Sequence, residues 1–165
     1  MKLIITRHAK SSWEFPELSD HDRPLTERGR RSSDAIGNWL AENGHIPQVV
    51  LSSTSVRTRE TWSRMARCFS TPITVEFMPD LYHGGAGSIL SVLSMTDASS
   101  ALVLGHNPGI GYFAQSILRS LPSHADFLRY PTAATLVCEV QMDESGNVEL
   151  GSGELMDFIV PRDLE

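Results

Sequence analysis

Lys2–Trp13 reads KLIITRHAKSSW, and the fold turns on how that stretch is parsed. Lys2–Thr6 is a short run, apolar at its centre, too brief for a helix and suited to a strand covered on both faces. Arg7 and His8 follow at its end. Two polar, cationic-type side chains at the mouth of a buried strand are costly to place for structure alone, so the pair calls for a function.

The rest of the chain repeats the theme of short apolar runs separated by longer amphipathic segments. Thr26 is placed to cap a helix running to about Asn43, with Ala35, Ile36, Trp39 and Leu40 on one face and Gly44 as its stop. Gln48–Leu51 is a second strand, Ser55–Phe69 a helix, Ile73–Phe77 a third strand and Ser88–Met95 a short helix behind Gly84–Gly87. Ala101–Leu104 is a fourth strand, and Asn107-Pro108 opens a helix to about Leu121. Ala134–Met142 and Val148–Leu155 flank Asp143-Glu144-Ser145-Gly146 as a hairpin. Strands alternating with helices predict a three-layer α/β/α sandwich with a mostly parallel sheet, made mixed by the terminal hairpin. One domain over residues 1–165 is expected from the length.

Composition narrows the function classes. Hydrophobic residues are 41% and charged residues 21%, an ordinary globular balance, and a net charge of −6 argues against a broad nucleic-acid footprint. The first apolar run is too short for a signal-peptide core and no stretch approaches a membrane span, so a cytoplasmic location with no membrane partner is expected. Cys68 and Cys138 are expected as buried thiols, and no ligand cluster points to a metal or another cofactor.

In sheets of this class, ligands bind beyond the carboxyl ends of the strands. Arg7 and His8 follow the first strand, Ser52, Ser53 and Arg57 the second, and Gly105, His106 and Asn107 the fourth. Two arginines and two histidines thus meet at one sheet edge. Guanidinium forks match phosphate oxygens, a helix start at Asn107-Pro108 adds amide donors, and a neutral imidazole is a competent nucleophile.

RHAKSSW, RPLTERG, LSSTSVRTRET and GHNPG occur in the order seen in the histidine phosphatase (phosphoglycerate mutase-like) superfamily, and RYPTAAT resembles a segment of its small SixA-type phosphohistidine phosphatases. The resemblance spans nearly the whole chain. It implies His8 as the nucleophile that accepts the phosphoryl group, Arg7 and Arg57 as phosphate-binding arginines, and His106 as a second histidine contacting the phosphoryl group. Ser11 is expected to add a contact, with Asn107 also at the phosphate. The implied substrate is a phosphohistidine-containing protein, such as a histidine-phosphotransfer domain or a phosphocarrier.

Larger members supply a carboxylic acid for an alcohol leaving group, either from a mid-chain insertion or just after the second histidine. Here the second position is Asn107, and the short mid-chain stretch carries only Asp80. An alkoxide needs that proton. A phosphohistidine protonated on its other ring nitrogen departs as neutral imidazole and does not. Two further readings stay open: a small-molecule phosphomonoesterase and a catalytically silent phosphate-binding module. Among the remaining candidates, Trp13 is expected to pack beneath the active loop and Asp20 with Arg23 to form an ion pair at the rim. His83 is placed to overhang the pocket, and His21, His45 and His124 are expected in exposed loops.

Overall fold

The computed structural model describes residues 1–165, with Lys2–Arg7 as β1. The Thr26 hydroxyl accepts the Gly29 N–H and caps α1, Glu27–Glu42; Gly44 follows in the left-handed region at φ 70°. Val49–Ser52 is β2, and Ser55 caps α2, Val56–Met65. Thr74–Phe77 is β3, Ala86–Leu93 α3, Ser100–Gly105 β4 and Gly109–Ile117 α4. Thr135–Glu139 and Glu154–Ile159 are β5 and β6.

The six strands lie in the order β3-β2-β4-β1-β5-β6, parallel from β3 to β1 and antiparallel at β5 and β6. Leu3, Ile5, Val49, Leu51 and Val103 pack against Ile89, Val92, Ile110 and Phe113 of α3 and α4. Ile4, Val50, Leu102 and Leu104 pack on the other face, against Ile36, Leu40, Trp62 and Met65 of α1 and α2. Because both faces are covered, alternation disappears and the central strands read as continuous apolar runs. The expected α/β/α sandwich with a mixed sheet is the observed one.

Several boundaries differ from expectation: α2 ends at Met65 and passes into a 3-10 turn at Ala66–Cys68 where a helix to Phe69 is expected, and α3 lies two residues earlier than expected. The last helix stops at Ile117, not near Leu121, because Leu118 turns extended to pair with Gly153. The Ile117 carbonyl accepts from the Gly153 N–H at 2.8 Å, and the Gly153 carbonyl accepts from Arg119 at 2.9 Å. The hairpin turn forms at Asp143–Gly146, but pairing around it is a single Met142–Val148 bridge. The second strand is Glu154–Ile159 instead of Val148–Leu155. Gly151, at φ 73°, turns the chain away from the first strand before it returns.

The 84–85 loop and the start of α4 meet in a close backbone approach. A Cβ on Gly109 would stand 2.0 Å from the Gly84 carbonyl oxygen, which only glycine avoids. Gly109→Ala is therefore expected to destabilise the fold by about 1–3 kcal/mol, read as a lower denaturation midpoint. An unchanged midpoint would show that the 84–85 loop yields freely.

Candidate active site

The ladder between β1 and β4 carries the site in its register. Arg7 is the partner of Gly105, and the pairing continues one step further, with the His8 N–H donating to the Gly105 carbonyl at 3.0 Å. His8 and His106 are the next residues on these neighbouring strands, so their rings stand side by side, centroids 5.1 Å apart. On the other side of β4, the Ser53 N–H donates to the Leu104 carbonyl at 2.9 Å and sets the start of α2. In the first turn of that helix, Arg57 points back to the same edge. Arg7, His8, Ser11, Arg57, His106 and Asn107 all line one cavity of about 310 Å³, together with Lys10, Trp13, Asp20, Arg23, His83 and Thr132.

His8 is buried, and its Nδ1–H donates to the Ala9 carbonyl at 2.7 Å. That bond assigns the proton to Nδ1 and leaves the lone pair on Nε2, which makes no hydrogen bond within the chain. Burial, and then the positive charges of Arg57, Arg7 and Arg23, push the imidazole down to about 3, with the Ala9 bond working in the other direction. His8 is therefore a neutral base at physiological pH.

His106 is held at both nitrogens. Arg57 Nη2 donates to Nδ1 at 3.2 Å, so Nε2 carries the proton and donates to Ser53 Oγ at 2.7 Å. Burial first, then His8, Arg57 and His83, push it down to about 2. The expected contact with a phosphoryl group requires the Nε2–H to turn from Ser53 to the ligand.

The arginines are spread around the two rings. Arg7 Nη1 donates to the Tyr130 carbonyl at 3.0 Å, and its Nε is buried without a partner. Burial and Arg57 lower its affinity for its own proton, a measure of how crowded with positive charge the cavity is. Arg57 Nη1 donates to the Asp20 carbonyl at 2.6 Å and Nη2 to Asp20 Oδ2 at 3.1 Å; its Nε is likewise unpaired. The Asp20–Arg23 ion pair forms as expected, at 3.0 Å. Asp20 also accepts from Tyr82 Oη at 2.6 Å, and that bond, with the two arginines, holds its carboxyl well below the usual range.

Ser11 Oγ and Asn107 Nδ2 are already engaged within the chain, while Asn107 Oδ1 is buried without a partner. Ser11 Oγ accepts from Arg23 Nη1 at 2.8 Å. Asn107 Nδ2 donates to the carbonyls of Arg129 and Tyr130 at 3.2 and 3.0 Å, bracing that segment. Asn107 also does not cap α4, whose N-terminal boundary is Pro108.

Several residues differ from expectation or were not singled out. Trp13 is 72% exposed rather than packed beneath the loop. The Arg23 guanidinium fills that space, 3.7 Å from the ring centroid, and the indole covers it from outside. His45 is buried, since its Nε2 bonds Asp157 Oδ2 at 2.8 Å across the fold. His21 and His124 are only partly exposed, engaged by Thr54 and Asp163. Cys68 is half-buried and Cys138 buried; both are free thiols. Ser53 and Tyr82 had no signal beyond their place after a strand and in the mid-chain loop. His83 lines the cavity as expected, exposed and without a hydrogen bond.

The two depressed imidazoles set a pH signature. An unfolded histidine titrates near ~6.5, so the native state binds fewer protons below that value. The stability this represents is full above pH ~6.5 and is lost as pH falls toward 3. The ring resonances of His8 and His106 are expected to stay those of neutral imidazole from pH ~8 to pH ~5 in an NMR titration. A midpoint near the unperturbed value for either ring would contradict the burial argument.

No helix is long and apolar enough to cross a membrane, and no group of three His, Cys, Asp or Glu side chains is arranged to hold a metal ion.

Comparison with known proteins identifies the family. The phosphohistidine phosphatase SixA of Escherichia coli is 29% identical over 151 residues, covering 89% of this chain and 89% of that one. An uncharacterized protein of Mycobacterium leprae is 32% identical over 165 residues, covering 94% and 99%. A structure of the protein histidine phosphatase SixA complexed with tungstate superposes with a TM-score of 0.79 at 27% identity, over 100% of both chains. Residues 3–89 match the model of the histidine phosphatase superfamily (branch 1), and the chain belongs to that family, within which it is similar to the SixA proteins.

Proposed function

We propose that the chain is a phosphohistidine phosphatase that works through a phosphorylated His8. Family membership supports a phosphatase, and the SixA relatives support phosphohistidine as its target. The observation that carries the finer reading is the protonation pattern of the cavity. A neutral imidazole with a free Nε2 faces a field of three arginines, while the one carboxyl in the cavity, Asp20, is held ionised. Tyr82 holds its proton more tightly than an ordinary phenol, chiefly through burial, and gives its hydrogen bond to Asp20. Neither Asp20 nor Tyr82 therefore stands ready as an acid for an alkoxide.

The steps follow from these groups. Nε2 of His8 attacks phosphorus, and the P–N bond of the substrate breaks. Its imidazole leaves neutral, because its other nitrogen already carries a proton. The phosphorylated His8 keeps its Nδ1–H on the Ala9 carbonyl, which stabilises the positive ring so formed. Arg7 and Arg57 are placed to neutralise the equatorial oxygens, a contribution that usually dominates phosphoryl transfer. Water then attacks phosphorus, His8 leaves with its lone pair on Nε2, and phosphate and a proton are released.

His83 favours a second reading. It is the one histidine on the cavity wall that makes no hydrogen bond, and a phosphomonoesterase would use it as the acid. Parallel assay of phosphoimidazole and an alkyl phosphate separates the two. Faster release from phosphoimidazole, unaffected by His83→Ala, is expected. Preference for the alkyl ester, lost in His83→Ala, would establish the second reading.

A further inference from the structure

The catalytic cavity does not end at its own wall. Lys10 and Thr132 line it and also line a second cavity of about 190 Å³, whose other charged residues are Arg28, Asp126, Arg129 and Arg162. The two cavities together hold seven of the chain's 14 Lys and Arg residues but only two of its 20 Asp and Glu, Asp20 and Asp126. In a chain of net charge −6, that segregation makes one strongly positive face on an acidic molecule.

Two of the second cavity's cations are uncompensated. Asp126, 3% exposed, forms ion pairs with Arg129 at 3.4 Å through Oδ1 and with Arg162 through Oδ2. Lys10 and Arg28 are exposed and make no ion pair or side-chain hydrogen bond within the chain. From these positions we infer that the cleft is a docking subsite for carboxylates lying beside the phosphohistidine of a protein substrate, an inference that rests on the function proposed above.

The occupant follows from how the cations are arranged. A compact phosphate dianion is held by converging, buried donors, as Arg7 and Arg57 provide in the catalytic cavity. In the second cleft the cations sit on long exposed side chains, and two of them, Arg129 and Arg162, are already paired with the buried carboxylate of Asp126. Separated carboxylates on a polypeptide suit Lys10 and Arg28, the two exposed cations with no partner in the chain. Exposed cations of this kind raise encounter rates more than they deepen binding, and salt weakens them.

The test uses phosphohistidine peptides flanked by glutamates, by alanines or by lysines, with phosphoimidazole as the substrate too small to reach the cleft. At low salt the glutamate peptide is expected to show a kcat/KM about tenfold above the alanine peptide, with the lysine peptide below both. Added salt should erase the difference. Arg28→Glu with Arg129→Gln should remove the glutamate advantage and leave phosphoimidazole turnover unchanged. Equal kcat/KM for the three peptides would overturn the inference, as would a double variant that slows phosphoimidazole as much as the glutamate peptide. Binding of the same peptides without phosphate, followed calorimetrically, reads the cleft independently of hydrolysis. Selective binding of the glutamate peptide by a chain that cleaves no phosphohistidine would sink the proposed function and keep the cleft. No preference in that measurement would sink the cleft alone.

Discussion

His8→Ala is expected to abolish turnover, by at least about 10⁴-fold in kcat/KM, and to abolish any phosphorylated form of the chain. No neighbour replaces it. His106 has both nitrogens engaged, with Arg57 and Ser53, and its ring is neutral for reasons unrelated to attack. His83 is exposed on the wall, its ring centroid 6.5 Å from that of His106. The fold should survive, because the backbone N–H of residue 8, which bonds the Gly105 carbonyl, is kept in the variant. A phosphoramidate on His8 is labile in acid and stable in base, so peptide mapping of a trapped adduct identifies it. An adduct on His83 or His106, or retained activity in His8→Ala, would reassign the nucleophile.

Arg57→Ala is the second large effect, a loss of about 10²–10³-fold in kcat, or roughly 3–4 kcal/mol of transition-state stabilisation. One guanidinium touches the Asp20 carbonyl, the Asp20 carboxylate and the His106 ring, so its removal takes away the proposed phosphoryl ligand and the clamp on two neighbours. Arg57→Lys should recover little, since a single ammonium cannot span those three positions. Inhibition by vanadate should weaken in parallel with turnover. Wild-type sensitivity to vanadate in Arg57→Ala would place the residue outside the anion pocket.

What could be read from the sequence, and what could not, divides by locality. The central strands announce themselves because helices cover both faces, and Thr26 and Ser55 cap their helices through bonds to residues three positions on. The site was legible for a related reason. His8 and His106 each stand one residue past a strand, and the parallel register of β1 and β4 makes those positions neighbours. Long-range pairings were not legible. His45 looks like a loop residue until Asp157, 112 positions away, is brought against it. The early end of α4 is set by Gly153, which no pattern near Leu118 reveals. Trp13 was misread because the group filling the space beneath the loop is a buried arginine, a type rarely found inside unless paired.

The carboxylate of Asp20 bears on how a catalytic cycle ends. A pocket of bare guanidiniums would keep whatever oxyanion it last held, and product inhibition would throttle it. Here Arg23 and Arg57 have an internal counter-ion, itself anchored by the Tyr82 hydroxyl. In the proposed cycle a departing phosphate leaves these two cations paired with Asp20 and not stranded, which favours release. The same carboxylate raises the threshold for entry, so chloride and other weakly held anions of the medium are expected to compete poorly for the resting site.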